Sequence, residues 1–547
     1  MIPTRATLLA RLHADAFHLL VVGGGIVGAG VARDAAMRGL HVALIEQGDF
    51  ASGTSSKTSK LIHGGLRYLE YGAFRLVAES LRERRILRTI APELVRPVPL
   101  LLPIYAGDAR TPWTVRAGLA LYDLLAWRGR LPRSRLLTAP GALTLEPALA
   151  SEGLRAAGLY ADCQMDDSRL CLAAILQAVG FGAVCCNYVR LRAFLKADGQ
   201  IRGGVGEDVL TGETVEIRAQ AVVNATGPWG DQLRALSDRS AEHRLTQTKG
   251  IHLILPRLAR HALCVQARSN RRVFFVLPWG DYSLVGTTET AVDGAFEALR
   301  ADADEVGDLL EELARVLPGC RVRADDVIAT FAGARPLLAF SGSAAAASRE
   351  HRIEFDRWGL CSVLGGKYTT SRAMAQQTVE ALVARHRWRV DRCLTDQVTL
   401  VEAAEPLVVE HWRDITRSIA PELVSRLLTR YGAAAVPLLR LIAGAPSLLQ
   451  PVCPHHDLIQ AELAHAFAQE LACTVTDALA RRTRIAWSLC QGLDALSTVS
   501  DLAQRYGGLT EDAVRRQVAD YRRFLALGLA FRAATQKCQT LFGKSPL

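Results

Sequence analysis

The feature that most constrains the fold is a glycine-rich turn that joins a short apolar run to a helical segment. The turn is Gly23-x-Gly25-x-x-Gly28, and the run before it, Phe17 to Val22, is typical of a buried parallel strand. Ile26 to Arg38 is predicted to be a helix, and His41 to Ile45 a second strand. This order predicts a βαβ unit that binds a dinucleotide.

Each residue type in this unit has a physical role. The first glycine allows a tight turn, the second lets the backbone approach a pyrophosphate, and the third lets helix and strand pack closely. Glu46 follows the second predicted strand, where a carboxylate can accept hydrogen bonds from ribose hydroxyls. The contacts predicted in this unit are Gly23, Gly25, Ile26, Gly28 and Glu46.

The place of the motif near the start of the sequence and two further glycine turns favour FAD over NAD. Asn224-Ala225-Thr226-Gly227 follows a predicted strand far along the chain, as a long cofactor requires. Gly365-Gly366-Lys367 opens a predicted helix, whose N-terminus can stabilise negative charge near a flavin ring. For this last turn, an ordinary strand-to-helix connection is an equally good interpretation.

A segment dense in hydroxyls, glycines and basic residues runs from Ser55 to Tyr68. Because it follows Glu46 closely, its hydroxyls and amides are expected to bind the pyrophosphate and ribityl chain. Arg67 can bind a phosphate through its planar guanidinium, and His63 can accept a proton near neutral pH. The alternative is a solvated loop leading into a helix. The cofactor contacts predicted here are Thr54, Ser55, Ser59, Lys60, Leu61, His63, Gly64 and Gly65.

Other basic residues are candidates for binding an anionic substrate. Arg335 lies among apolar residues, so it needs either an anion or a buried partner such as a structural ion pair. Lys367 lies in the glycine turn, and Arg349 follows an alanine-rich loop, where a surface charge is an equally good interpretation. Lys249 and His252 form a further basic spot beside a predicted strand.

Composition sets broader limits. The 547 residues include 65 Lys and Arg against 55 Asp and Glu, and the net charge of +10 permits an anionic partner without requiring one. The twelve cysteines form no C-x-x-C pair, which indicates reduced thiols. Cys453-Pro-His455-His456 has the composition of half a metal site, but no second cluster matches it, so no metal is predicted. No signal peptide is expected, and no apolar run reaches the roughly 18 to 20 residues that span a bilayer.

The run from Thr54 to Glu70 resembles the signature of FAD-dependent glycerol-3-phosphate dehydrogenases. Asp477 to Thr483 is similar to the helical C-terminal domain of that family. Further similar segments are Phe74 to Val77, Asn224 to Trp229, Gly286 to Thr288, Arg335 to Leu337 and Gly365 to Lys367. The resemblance therefore covers nearly the whole chain. Glu289 stands where the family commonly has Asp, and Tyr368 stands where it commonly has an aliphatic residue.

The resemblance implies an α/β fold of the glutathione-reductase type: a Rossmann-like FAD-binding domain, an antiparallel-sheet substrate domain and an all-α C-terminal domain. It also implies non-covalent FAD and oxidation of sn-glycerol 3-phosphate to dihydroxyacetone phosphate by hydride transfer to flavin N5. Ubiquinone or menaquinone would take the electrons, at the cytoplasmic face of the membrane. A homodimer is a further expectation.

The resemblance also assigns roles to residues. Substrate contacts fall on Arg67, Tyr68, Arg335, Arg349 and Lys367. His63, Arg335 and Lys367 are the expected catalytic residues, with His63 as the base. The remaining cofactor contacts are Gly227, Gly366, Lys367 and Thr369.

The predicted domain organisation is interleaved. Residues 17–100 and 331–388 form the first and last parts of the FAD-binding domain, and 226–330 are mainly substrate domain. Residues 101–225 mix strands of both. Residues 389–547 form the helical C-terminal domain.

Three alternatives to this function remain open. The first is an oxidase of the same fold that reacts with oxygen, and the second is an amine or amino-acid oxidase. The third is a flavoprotein that binds nucleic acid, suggested by a pI of about 9.1, although no nucleic-acid module is recognised. Two basic amphipathic stretches, Trp113 to Arg128 and Glu511 to Lys537, are candidates for membrane contact or for ordinary packing.

Overall fold

A computed structural model describes residues 3–127, 129, 131–292, 296–339, 350–401 and 419–533. Its strands form two sheets. In chain order the strands are β1 (Ala16–Val22), β2 (Val42–Ile45), β3 (Leu61–Ile62), β4 (Val95–Tyr105), β5 (Arg135–Thr138), β6 (Leu154–Met165), β7 (Val184–Cys186), β8 (Val189–Ala197), β9 (Gln200–Asp208), β10 (Thr214–Asn224), β11 (Leu245–Pro256), β12 (Ala262–Gln266), β13 (Val273–Trp279), β14 (Tyr282–Gly286), β15 (Thr290–Ala291), β16 (Ala329–Leu338), β17 (His351–Phe355) and β18 (Cys361–Gly365).

The first sheet has a parallel centre with the strand order β17-β18-β10-β1-β2-β7. Strand β1 lies between β10 and β2 and is parallel to both, as a βαβ opening requires. A hairpin of β8 and β9 extends from β10, and β17 is antiparallel to β18. Alternate residues of β1 are buried on opposite faces of the sheet, with Leu19 and Val21 in one apolar core and Leu20 and Val22 in another.

The second sheet has the order β15-β11-β14-β13-β12-β4-β6-β3, and β16 and β5 pair with β11 and β6. All its recorded pairings are antiparallel except that between β12 and β4. A ladder of ten residue pairs joins β11 to β16, from Leu245–Leu338 to Ile254–Ala329. This ladder carries Arg335 into the interior of the protein.

Helices cover both sheets and form the C-terminal region. They are α1 (Arg5–Ala14), α2 (Ile26–Met37), α3 (Phe74–Ile90), α4 (Pro112–Leu125), α5 (Ala139–Leu145), α6 (Asp167–Gly180), α7 (Gly230–Ser237), α8 (Ala303–Val316), α9 (Ser371–His386), α10 (Pro421–Tyr431), α11 (Ala435–Gly444), α12 (Gln460–Gln469), α13 (Leu496–Gly507) and α14 (Glu511–Gly528). The described part after residue 419 has its own apolar core. Among the described helices, none has the length and apolar character needed to cross a membrane.

The α/β class, the βαβ opening and the helical C-terminal region agree with the sequence predictions. Two stretches differ in structure from what their sequence patterns predict. The arginine-rich stretch from Lys60 to Ile90 has a helical pattern, but it begins with β3 and the 3-10 helix Leu66–Tyr71, and only α3 is an α-helix. The stretch from Pro92 to Pro112 is broken by prolines, a pattern typical of loops and short strands, but it contains the eleven-residue strand β4.

Strand β4 tolerates its prolines because of their spacing. Pro97, Pro99 and Pro103 are separated by even numbers of residues, so their missing N–H groups all face one side of the strand. The antiparallel ladder with β6 nevertheless runs the full length of β4. Residues of the other parity can therefore supply its hydrogen bonds.

The two sheets divide the chain somewhat differently from the predicted domains. Strands β3 and β4 lie in the second sheet, although they begin within residues 17–100. Strand β16 also belongs to the second sheet, although most of it lies within residues 331–388. Within residues 101–225, β5 and β6 join the second sheet and β7 to β10 the first.

Candidate active site

A cavity of about 950 Å³ reaches from the first glycine turn to the ladder that carries Arg335. This volume lies at the upper end of the roughly 300–1,000 Å³ range of small-molecule and cofactor sites. Among the described residues that line it, eight are Lys or Arg and five are Asp or Glu. The cavity is thus suited to a large ligand with negative charge.

At one end of the cavity the backbone turns from β1 into α2. Gly25 is the N-cap residue of α2 and provides no side-chain cap. The Ile26 amide donates instead to the Ser55 hydroxyl at 2.9 Å. The helix N-terminus therefore faces the cavity with a hydroxyl beside it, an arrangement suited to phosphate.

Glu46 lies at the same end, after β2. Its carboxylate accepts hydrogen bonds from the amides of Gly24 at 2.7 Å and Gly48 at 2.8 Å. Burial raises the pKa of Glu46, and the two amides oppose that shift. The carboxylate is held in one orientation on the cavity wall, where it can accept from hydroxyl groups of a ligand.

The glycines of the motif leave no room for larger residues. Gly23 has φ +111°, and a Cβ atom on it would lie 2.6 Å from the carbonyl oxygen of Ala225. A Cβ atom on Gly28 would lie 1.9 Å from the carbonyl oxygen of Gly23. This packing brings α2 close to β1 and keeps the turn open to a pyrophosphate, so the residues present fit FAD.

The hydroxyl-rich segment forms the middle of the cavity. Of its predicted contacts, Thr54, Ser55, Ser59, Leu61, His63 and Gly65 line the wall. Lys60 and Gly64 lie behind the wall. Lys60 Nζ forms a buried ion pair with Asp167 at 2.6 Å, and the Gly64 amide donates to the Tyr122 hydroxyl at 2.9 Å. Gly28 also lies behind the wall, so these three residues contribute by packing.

Lys57 is a lining residue that the sequence analysis did not assign to the site. Burial, followed by the charge of Arg481, lowers the pKa of Lys57 to about 8. An ammonium group in such surroundings gains stability from a nearby anion. Its position in the hydroxyl-rich segment was the available signal, but its burial was not evident from the sequence.

At the other end of the cavity, Arg335 is held by the second sheet. Its Nη2 donates to Thr287 Oγ1 at 2.6 Å and to the Thr288 carbonyl at 3.0 Å, and its Nη1 lies 3.7 Å from Glu289 Oε1. The side chain is 18% exposed. Arg335 therefore has structural partners and also faces the cavity.

Tyr68 lies close to two cationic groups. The Arg67 guanidinium carbon is 5.8 Å from the centre of its ring, and Lys367 Nζ is 5.2 Å from it. Gly65, with φ +83°, precedes the 3-10 helix that carries Tyr68, and a Cβ atom there would lie 2.3 Å from the ring. The glycine thus allows the ring to fold back over the turn.

His63 follows β3 and lines the same cavity. Its amide and carbonyl both lie 3.3 Å from Thr369 Oγ1, in the 3-10 helix Tyr368–Thr370. Its ring lies edge-on to Phe275, with the ring centres 6.5 Å apart. The structure therefore brings His63, Thr369 and the Gly365 to Lys367 turn to one wall.

Two further residues belong to this end of the cavity. His252 Nε2 lies 2.9 Å from Ser59 Oγ, and burial, with Arg335 and Lys60, lowers the pKa of His252 well below its usual value. Its sequence signal was the basic spot with Lys249, whose side chain instead pairs with Glu305 at 2.8 Å. Arg272 lines the cavity, and its buried Nε has no hydrogen-bond partner among the residues that the structure describes; no sequence signal indicated it.

The remaining predicted residues are placed as follows. Gly227 and Gly366 line the cavity, as do Gly23, Gly25 and Ile26. Arg349 lies outside the described residues. Tyr368 donates from its hydroxyl to the Asp167 carbonyl at 2.5 Å, a contact that an aliphatic residue lacks.

The C-terminal region supports the dinucleotide end from outside. Asp49, three residues after Glu46, accepts from Arg482 at 2.7 and 2.9 Å and from Arg481, and it is fully buried. Although burial raises the pKa of Asp49, the two guanidinium groups hold it below its usual range. The loop after Glu46 is therefore tied to the helical region by a buried ionic cluster.

Comparison with known proteins agrees with this arrangement. Residues 18–381 match the family model "FAD dependent oxidoreductase", and residues 362–514 match "C-terminal domain of alpha-glycerophosphate oxidase". The crystal structure of the glycerol-3-phosphate dehydrogenase from Bacillus halodurans complexed with FAD superimposes with a TM-score of 0.80 at 28% identity. That match covers 96% of this chain and 97% of the other.

Curated relatives that match this chain over most of its length are also named glycerol-3-phosphate dehydrogenase. Glycerol-3-phosphate dehydrogenase from a Synechocystis species is 36% identical over 94% of this chain and 97% of its own. The human mitochondrial glycerol-3-phosphate dehydrogenase is 33% identical over 98% of this chain and 77% of its own. With the glycine cradle, Glu46 and the cationic end of the cavity in place, the chain belongs to the FAD-dependent glycerol-3-phosphate dehydrogenases.

Proposed function

We propose that the protein oxidises sn-glycerol 3-phosphate to dihydroxyacetone phosphate. The observation that carries the proposal is a single cavity with a dinucleotide cradle at one end and Arg335, fixed by Thr287 and Thr288, at the other. A planar guanidinium held in this way is suited to binding a phosphate monoester. The relatives named glycerol-3-phosphate dehydrogenase support the same substrate.

The residues of the cavity divide the work of the reaction. Arg335 and Arg67 bind the phosphate, and Lys367 and Tyr68 orient the carbinol carbon. His63 takes the proton of the C2 hydroxyl, since it faces the cavity on the wall shared with Lys367. FAD, when bound, accepts the two electrons and the hydrogen that leave C2. A His63→Gln variant with unchanged turnover and pH dependence would remove His63 from this role.

Membrane quinone, either ubiquinone or menaquinone, is the proposed electron acceptor. Support comes from an exposed aromatic surface on α4, beside the cavity. Trp113 is 74% exposed, and Leu124 and Trp127 are each 67% exposed. Trp113 and Leu124, eleven residues apart, lie on one face of the helix, and Trp127 lies in the turn just after its end. Thr114, Val115 and Gly118 of the same helix line the cavity.

This aromatic surface is also the proposed site of contact with the cytoplasmic face of the membrane. Tyr71 and Phe74 are exposed nearby, where α4 contacts both α3 and the 3-10 helix before it, and Arg116 lies over the Trp113 ring. Aromatic and basic groups together favour a lipid interface. The other candidate stretch differs, because α14 buries Val514, Tyr521 and Leu525 and its described residues include no exposed large apolar side chain.

Vesicle sedimentation tests the membrane proposal. The Trp113→Glu/Trp127→Glu protein is expected to remain in solution with anionic vesicles that sediment the unaltered protein. Leu489→Glu is the control, because Leu489 is 77% exposed but lies in the helical region. Equal sedimentation of all three proteins would place membrane contact elsewhere.

Light scattering of the holoprotein tests the proposed homodimer, for which the mass of two chains is expected.

The main experiment is anaerobic mixing of the holoprotein with sn-glycerol 3-phosphate. Bleaching of the flavin absorbance, reversed by a quinone analogue, is expected. Reoxidation by oxygen with release of hydrogen peroxide would identify the oxidase alternative. No bleaching with FAD bound would contradict the substrate, and glycine and other amines would be tried next. The protein is expected not to retard transfer RNA in a gel-shift assay, which tests the nucleic-acid alternative.

A further inference from the structure

Three metal-ligating side chains come together in the helical region, away from the cavity. They are Cys453, His456 and Cys490, and one ligand atom from each lies within 4.8 Å of the others. Among the described residues this is the one such group of histidines, cysteines and carboxylates. Cys453 is buried, and the other two are half-buried. Only the first two are neighbours in the sequence, and the fold brings Cys490 to them.

The spacing within the group suits a tetrahedral metal ion. Cys490 Sγ lies 3.4 Å from His456 Nε2. With Zn–S bonds of about 2.3 Å and Zn–N bonds of about 2.0–2.1 Å, the edges of a tetrahedral site are about 3.6 Å for S···N and about 3.8 Å for S···S. The edge between His456 and Cys490 therefore already has nearly the length that such a site requires, and the edges to Cys453 are at most 4.8 Å long.

The two loops that carry these residues are held in place. The first is closed by the bridge between Pro451 and Ile459 and by the Val452 amide bonding to Leu458 at 2.8 Å. This closure holds Cys453 and His456 on one loop, three residues apart. The second loop, which carries Cys490, is anchored beside the second sheet. The Leu489 amide donates to the Tyr282 hydroxyl at 3.0 Å, and the Gln491 side-chain amide donates to the Ile328 carbonyl at 2.9 Å.

A fourth ligand position also has a suitable neighbour. Ser488 Oγ lies 2.8 Å from His456 Nε2 and 3.5 Å from Cys490 Sγ. It donates its own proton to the Ile485 carbonyl at 2.6 Å, so its lone pairs are directed to the group. Either this oxygen or a water molecule can complete four coordination.

We propose that Cys453, His456 and Cys490 bind one Zn²⁺ ion. Two thiolates and one imidazole form a soft donor set, which selects zinc over magnesium or calcium. The ion links the loop of Cys453 to the loop of Cys490, which contacts the second sheet. It is a site separate from the flavin cavity and has no part in the proposed oxidation.

Metal analysis of the holoprotein tests the proposal. After incubation with ZnCl₂ and desalting, the protein is expected to retain about one zinc per chain, and Cys490→Ser to retain less than about a tenth of that, because an open three-ligand site loses a thiolate. Cys320→Ser is the matched control, since Cys320 is also half-buried but lies outside the group. This variant is expected to retain zinc fully.

A second measurement needs no variant. Co²⁺ added to the unaltered holoprotein is expected to produce a thiolate charge-transfer band and the visible bands of four coordination, both removed by Zn²⁺. The proposal is overturned if neither metal is retained, or if Cys490→Ser retains as much zinc as the control. It is also overturned if the freshly purified protein has a Cys453–Cys490 disulfide in an unreduced digest.

Discussion

The two ends of the cavity are built in different ways. At the dinucleotide end, Glu46 joins neighbouring parts of the chain, because it accepts from amides of residues 22 positions earlier and two positions later. The substrate end joins distant residues: Ser59 meets His252 across 193 positions, and His63 meets Thr369 across 306. The first end depends on backbone shape, whereas the second depends on side chains placed by two sheets.

This difference predicts separate effects of substitution at the two ends. Changes in the glycine turn should remove the cofactor and with it every activity. Changes at Arg335 should leave the cofactor bound and weaken only the substrate. Flavin content and turnover, measured on the same preparation, distinguish the two outcomes.

The largest effect is expected for Gly28→Ala. Its methyl group would lie 1.9 Å from the Gly23 carbonyl oxygen, so α2 must move away from β1. Overpacking of this kind costs about 3 kcal/mol or more, which corresponds to at least about a hundredfold weaker cofactor binding. Flavin absorbance per chain after desalting is the measurement.

Gly307→Ala is the control for this substitution. Gly307 is exposed within α8 and would have no atom within 4 Å of an added Cβ. Alanine there is expected to stabilise the protein by about 0.5–1 kcal/mol and to leave flavin content unchanged. Full flavin content in Gly28→Ala would show that the turn does not depend on this packing.

The second effect concerns the ionic cluster that ties the helical region to the dinucleotide end. Arg482→Met leaves Asp49 with one guanidinium partner in a buried site, and breaking such a pair costs about 3–5 kcal/mol. Arg505→Met is the control, because Arg505 and Asp501 form an exposed pair that contributes about 0–1 kcal/mol. Urea unfolding of the holoproteins at pH 7 measures both.

Acid pH provides an independent check on this cluster. The folded-state pKa of Asp49 lies below its usual value of about 3.9, so its stabilisation is complete above that pH and is lost as the pH falls further. The stability difference between the unaltered protein and Arg482→Met should therefore shrink below about pH 4. A constant difference would assign the effect of Arg482 to packing alone.

The sequence predicted the dinucleotide end well because its signal is local. Strand, turn, helix and acid follow one another, and the structure keeps that order from β1 to Glu46. Lys60 was assigned to the cofactor from its neighbours, yet its partner Asp167 lies 107 positions away and keeps its side chain behind the wall. Composition of a segment thus indicates a site without indicating which side chains face it.

Contacts between residues distant in sequence explain the other features that the sequence did not predict. The prolines of β4 suggested loops, but a strand whose prolines share one parity can still pair with β6. Arg272 and the meeting of Cys490 with His456 depend on contacts between loops far apart in sequence. Such contacts leave no periodic or spacing signal in a single sequence.

Arg335→Lys tests the substrate end of the comparison. Lysine keeps the charge but loses the planar guanidinium, whose Nη2 bonds both Thr287 and Thr288. Losing one charged hydrogen bond to phosphate costs about 1.5–3 kcal/mol, so kcat/KM for glycerol 3-phosphate should fall about 10- to 100-fold. Flavin content should not change.

Arg352→Lys is the matched control for this substitution. Arg352 is 57% exposed and forms a surface ion pair with Glu354 in β17. Its replacement is expected to change neither flavin content nor kcat/KM. Loss of flavin in Arg335→Lys would contradict the expectation that the two ends of the cavity respond separately to substitution.

The smallest effect is expected at Lys57, which lies between the two ends. An anion bound near its ammonium group raises the pKa of Lys57 from about 8, so binding takes up a proton. FAD affinity should then fall as the pH rises through 8, by up to about tenfold per unit, and Lys57→Gln should remove this dependence. FAD titrations at pH 7 and pH 9 measure this dependence.

Lys196→Gln is the control, because the Lys196 side chain donates to the Ser237 carbonyl. This variant should keep the pH dependence of FAD affinity. If Lys57→Gln keeps it as well, Lys57 lies too far from the pyrophosphate to respond to it and belongs with the substrate end.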